Sequence, residues 1–249
     1  MPSINILLLI AAAFFMAGLV KGVIGFGLPT VTLALLATSV GLDEAMVLLL
    51  VPCGVTNLWQ AISGGQLLAL LKRLWALLLG LGIATWFGAL WHAASDPRWL
   101  IGLLGALLCG YSVVSLFTAQ VPEPGRFEAR ISPAIGIISG VLNGLTGSFV
   151  VPGVLYLQAL GLPRDTLIQA MGLLFVTSTV ALGLSLRAHN LLSEELAILS
   201  GLALLPAIIG MSIGLRLRKR LNPVQFRRAF FSALLVFGGY LLLSPLVRA

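Results

Sequence analysis

Apolar residues run through this chain in blocks too long for the elements of a soluble core, separated by short clusters of charge, glycine and proline. Eight blocks can be drawn, at about residues 3–38, 44–63, 74–94, 99–118, 132–160, 166–186, 195–215 and 226–246. A helix needs roughly 20 apolar residues to cross a bilayer, and most of the blocks have that length. The first does not: about 35 residues in one straight helix would reach roughly 50 Å, well beyond the hydrocarbon thickness. It must break, tilt strongly or double back. The break is expected at Gly22, Gly25, Gly27 and Pro29, because glycine weakens a helix and proline removes a backbone donor. Block five carries the same signal in Gly140, Asn143, Gly144, Gly147, Pro152 and Gly153.

The two breaks belong to a longer correspondence. Gly18-x-x-Lys21-Gly22-x-x-Gly25 aligns with Gly140-x-x-Asn143-Gly144-x-x-Gly147, and Gly41-Leu42 aligns with Gly161-Leu162 at nearly the same offset. Thr56 and Asn57 fall opposite Thr177 and Ser178, Gly80 opposite Gly201, and Gly110-Tyr111 opposite Gly239-Tyr240. The expected fold is therefore all-α, a polytopic transmembrane helical bundle of about eight segments. One transmembrane domain covers 1–249, built from two homologous repeats, 1–118 and 132–249, joined by the polar linker 119–131. Each repeat opens with a broken or re-entrant helix, the pattern of a secondary transporter. If the opening blocks cross once the repeats run parallel; if they are hairpins the repeats are inverted, and both remain open.

Composition agrees with membrane residence. The chain is 59% hydrophobic and 9% charged, with a mean hydropathy of +1.08, which excludes a soluble domain with a polar surface. The formal charge of +7 fits cytoplasmic loop ends and anionic lipid headgroups better than nucleic acid. The densest cluster, Arg216, Arg218, Lys219 and Arg220, favours a cytoplasmic loop between the last two spans. The N-terminus lacks a basic region and a cleavage site, so it reads as the first span. Cys53 and Cys109 lie in apolar runs and read as small buried hydrophobes.

All eight acidic residues fall in loops or at block ends. Cation transporters and proton pumps place carboxylates at membrane depth, so this distribution argues against both. The clear mid-block ionisable group is a cation, Lys21. A buried cation beside broken helices, whose free N–H groups also attract negative charge, describes an anion site. The candidate substrate-binding residues of the first half are Lys21, Gly22, Gly25, Phe26, Gly27, Asn57 and Gln60, with Thr30 as a further donor. Those of the second half are Asn143, Gly144, Thr146, Gly147, Ser148, Gln169, Thr177 and Ser178. Lys21 would neutralise the anion, Gly22, Gly25, Gly144 and Gly147 would expose backbone N–H groups, and Asn143, Thr146 and Ser148 would donate hydrogen bonds.

Plainer roles compete with these. Lys21 could snorkel at the end of a short span, glycines in membrane helices mostly serve close packing, and Asn57, Gln60, Gln169, Thr177 and Ser178 could be interhelical glue. His92 and His189 flank loops and are expected at the interface. The five tryptophans suit interfacial belts, and Pro52 and Pro206 suit kinks. No metal-ligand spacing, P-loop or nucleophile elbow is present, so no enzyme, metal or cofactor is expected.

The segments KGVIGFGLP at 21–29, GLDEAMVLLLVPCGVTNLWQA at 41–61, NGLTGSFVVPGVLYLQALGLP at 143–163 and DTLIQAMGLLFVTST at 165–179 resemble the TauE/SafE family of bacterial sulfite and organosulfonate exporters. The resemblance implies a multi-pass permease of the bacterial inner membrane that moves small sulfur-containing anions outward without ATP hydrolysis. Its expected partners are a small anionic substrate and the lipid bilayer, not nucleic acid, with a homodimer left open. An importer or facilitator of another organic or inorganic anion, and a structural membrane protein without a transport path, are the alternatives.

Overall fold

The interruptions in the apolar pattern become helix ends. The computed structural model describes residues 3–117, 122–148 and 150–247, so residues 119–121 of the expected linker and the end of the first repeat at 118 lie outside the described residues. The fold is all-helical, 84% helix, without strands among the described residues. Eleven α-helices follow in order: α1 (Ile4–Ile24), α2 (Leu28–Leu36), α3 (Leu42–Leu48), α4 (Leu50–Ile62), α5 (Leu67–Ala94), α6 (Pro97–Phe117), α7 (Glu128–Thr146), α8 (Gly153–Ala159), α9 (Arg164–Ala188), α10 (Glu194–Leu217) and α11 (Pro223–Val247).

Six are long and apolar enough to cross a membrane: α1, α5, α6, α9, α10 and the Val224–Ser244 part of α11. The bent pair α3 and α4 would make a seventh. About eight crossing blocks were expected, and the difference lies mainly in block five. Its helix α7 carries Glu128, Arg130, Pro133 and Asn143 and is not among the six. The short helices α2 and α8 have 9 and 7 residues, too few to cross at about 1.5 Å per residue. Large apolar side chains point outward across the molecule, with Leu68, Trp99 and Val236 at 73%, 80% and 73% exposure. Such a surface belongs in lipid, and the protein is a multi-pass membrane protein.

The helices sort into two compact units, each drawing on both halves of the sequence. The first unit comprises Met1–Pro52, Asp96–Thr118 and Leu192–Ala249. Here α1 and α10 touch backbone to backbone. A methyl group added at Gly18 or Gly22 would collide with the carbonyls of Ala207 or Met211, and one at Gly210 or Gly214 with those of Phe15 or Leu19. Lipid offers helices no hydrophobic drive to associate, so close backbone packing through small residues takes its place. The break between α3 and α4 is satisfied locally. Pro52 supplies no amide for the carbonyl of Leu48, and the Ser200 hydroxyl donates to it instead (2.8 Å), while accepting from the Val51 amide (3.1 Å).

The second unit comprises Cys53–Ser95 and Ala119–Leu191. It uses the same device between α5 and α7, where methyl groups at Gly136, Gly140 and Gly144 would meet the carbonyls of Leu77, Leu81 and Thr85. Helix α9 lies against α4 at Gly172, where a Cβ would stand 2.6 Å from the Ala61 nitrogen.

Candidate functional site

The break in the first unit separates α1 from α2. Lys21 lies in the last turn of α1 and is buried, at 4% exposure. A cation there complements the negative end of the helix dipole. The helix closes through Gly25, which has φ +98° and donates its amide to the Lys21 carbonyl at 2.7 Å. The Gly25 amide expected to bind an anion is therefore engaged in the cap, and the Cα of Gly22 is set against α10. Phe26 is buried and meets Tyr111 edge to face at 6.4 Å. Gly27, with φ +105°, caps the start of α2, its carbonyl accepting from Val31 (2.9 Å). Within α2 the hydroxyls of Thr30 and Thr32 are buried and have no hydrogen-bond partner. Thr30 was expected as a donor. Thr32 was not, because a threonine inside an apolar helix ordinarily bonds back to its own backbone.

The break in the second unit follows α7. Gly147, with φ +69°, closes that helix by donating to the Asn143 carbonyl at 2.8 Å, the same cap that Gly25 makes on Lys21. Its amide too is engaged. The Asn143 side chain is fully buried and donates from Nδ2 to Thr85 Oγ1 and to the Ser178 carbonyl, 3.1 Å each. Thr85 donates its own proton to the Leu81 carbonyl (2.8 Å), so its oxygen must be the acceptor. Asn143 Oδ1 is left without a partner, as is Ser139 Oγ one turn earlier on α7. The expected donors of this half are thus already engaged. Thr146 donates to the Leu142 carbonyl and accepts from the Ser148 amide, and Ser178 donates to the Leu174 carbonyl. Gly144 packs against α5.

Gln60 and Gln169 clamp α4 to α9. Gln60 Nε2 donates to the Ile168 carbonyl (2.8 Å) and Gln169 Nε2 to the Ala61 carbonyl (2.7 Å), while Gln169 Oε1 accepts from the Gln66 amide (3.0 Å). Asn57 is fully buried on α4, three residues before Gln60. Thr177 lies apart from Asn143, in a mostly apolar groove of about 440 Å³ with Gly82, Trp86 and Val180. Trp86 and Val180 there are 43% and 54% exposed, so the groove opens on the outer surface. His92, expected at the interface, is buried. Its Nδ1 is 2.8 Å from the Leu145 carbonyl, to which it donates, because the last carbonyls of α7 lack helical partners.

The residues around the first break offer a positive charge and hydroxyl donors, and those around the second offer oxygen acceptors. The sequence model described as Sulfite exporter TauE/SafE matches residues 10–241 of this 249-residue chain. No curated protein and no solved structure gives a match.

Proposed function

Because the chain belongs to the TauE/SafE sulfite exporter family, we propose that it is a secondary transporter that exports sulfite, sulfoacetate or related organosulfonates across the bacterial inner membrane by alternating access. The anion binds at the break of the first unit. One observation carries this reading: buried Lys21 ends α1, and α2 begins four residues later with the buried, unpartnered hydroxyls of Thr30 and Thr32. A strong oxyacid spreads its charge over several oxygens, and a lysine with hydroxyl donors and a helix N-terminus matches that distribution.

The chain is read as two homologous repeats. Matched local geometry supports this: Gly25 and Gly147 make the same cap on Lys21 and Asn143, and Gly41 and Gly161 both have positive φ, +106° and +64°. The repeats carry their breaks at corresponding places, as transporters with discontinuous helices do.

The test is flux of sulfite and of sulfoacetate from proteoliposomes. Lys21→Ala is expected to lower the rate at least tenfold, equivalent to ~1.4 kcal/mol of lost stabilisation, with protein still inserted. Wild-type rates in that variant would remove the lysine from the mechanism.

A further inference from the structure

The second break holds a feature that binding an anion does not use. Asn143 Oδ1 is a buried acceptor whose orientation is fixed, because the Ser178 carbonyl can only accept and must face the amide nitrogen. Ser139 lies four residues earlier, on the same face of α7. Its hydroxyl is fully buried and likewise unpartnered. Gly153, the first residue of α8, keeps space beside it: a Cβ there would stand 3.1 Å from Ser139 Oγ and 3.1 Å from Leu174 Cδ2. Both oxygens sit in the last two turns of α7, toward the negative end of its dipole. Two oxygens aimed into a small space, with the neighbouring amide and hydroxyl protons already engaged, attract a positive ligand and repel an anion. None of the eight acidic residues lies in these two turns. Divalent cations are ordinarily held by carboxylates, whereas carbonyl and hydroxyl oxygens at the C-terminal end of a broken helix suit a monovalent ion.

We propose that Asn143 Oδ1 and Ser139 Oγ bind a small monovalent cation, Na⁺, the ion coupled to anion movement. The coupling role rests on the transporter reading above, but occupancy of the site does not require sulfite to be the substrate.

The experiment measures thermal unfolding of the purified full-length protein in detergent during NaCl titration. KCl and choline chloride at equal ionic strength serve as controls, and ²²Na⁺ binding is measured in parallel. The wild type is expected to show a saturable rise in Tm specific to Na⁺. Ser139→Ala removes a hydroxyl that bonds nothing, so the variant should fold. Its half-saturating Na⁺ concentration should rise at least tenfold. Asn143→Asp keeps an acceptor and adds charge, so its half-saturation should fall below that of the wild type. Equal responses to all three salts would mean that water fills the space, and would overturn the proposal. So would a Ser139→Ala titration that matches the wild type. A protein that binds Na⁺ but moves no sulfite would refute the substrate assignment and leave the cation site standing.

Discussion

The break after α1 carries Lys21 and is followed by the unpartnered hydroxyls of Thr30 and Thr32, whereas the break after α7 carries Asn143, whose amide protons are engaged and whose carbonyl oxygen is not. The backbones agree closely, each helix ending in a left-handed glycine whose amide caps the carbonyl four residues back. Both final turns also pack through glycine against a long neighbouring helix. One backbone device therefore serves two polarities, and the side chain at the capped position decides which. Lysine makes the first break a donor of charge, and asparagine turns the second into an acceptor once Thr85 and Ser178 occupy its protons.

The shared packing is the easiest part of this comparison to break. Gly22→Leu and Gly144→Leu should each destabilise by ~3 kcal/mol or more, since both would drive a side chain into backbone. Unfolding in detergent and the amount inserted in membranes would show it. Gly239→Leu, with open space at that position, should behave as the wild type. A leucine tolerated at only one of the two breaks would end the equivalence of their packing.

The polarity difference is sharpened next. Thr30→Val and Thr32→Val keep shape and remove hydroxyls that bond nothing within the protein. Each should leave stability unchanged, and the valine that lies in the anion site should raise KM about tenfold, ~1.4 kcal/mol. Unchanged KM in both variants would place the anion elsewhere. A smaller effect is expected from the clamp between α4 and α9. Gln60→Ala or Gln169→Ala should cost ~1 kcal/mol in thermal stability with KM for the anion unaltered, and a shifted KM would return these residues to the site.

The smallest effect lies at the start of α7. Arg73 Nε and Nη2 donate to the Glu128 carboxylate at 2.6 and 2.8 Å, and the guanidinium holds that carboxyl below its ordinary value of 4.5. A depressed pKa gives stability that is present above the unfolded value and lost as pH falls through the folded one. Both groups are partly exposed, so the contribution is ~1 kcal/mol or less. Glu128→Gln should therefore differ from the wild type near pH 7 and converge with it below about pH 4. A difference that persists in acid would assign the effect to packing.

Much of the frame was legible because it depends on local chemistry. The excess of apolar residues required membrane helices, and the glycines at 22–27 and 144–147 required breaks, since the left-handed conformations at Gly25, Gly27 and Gly147 are steric properties of single residues. Tertiary partners were less legible. Thr177 and Ser178 are adjacent in sequence, yet one lines an outer groove and the other receives Asn143, because neighbours on a helix point about 100° apart. His92 reads as a loop-flanking residue until the unsatisfied carbonyls of α7 are placed beside it.

The sequence by itself determined a multi-pass helical protein, the positions of its two breaks and the charge carried at the first. Only the tertiary structure decided which hydrogen-bonding groups remain available there. Availability is what a side chain has left after its neighbours are satisfied, and those neighbours come from distant segments, as Thr85 and Ser178 do for Asn143. The same holds for the two units, each assembled from both halves of the chain. Glycine faces that match across space select their partners by shape, and sequence order does not constrain that choice.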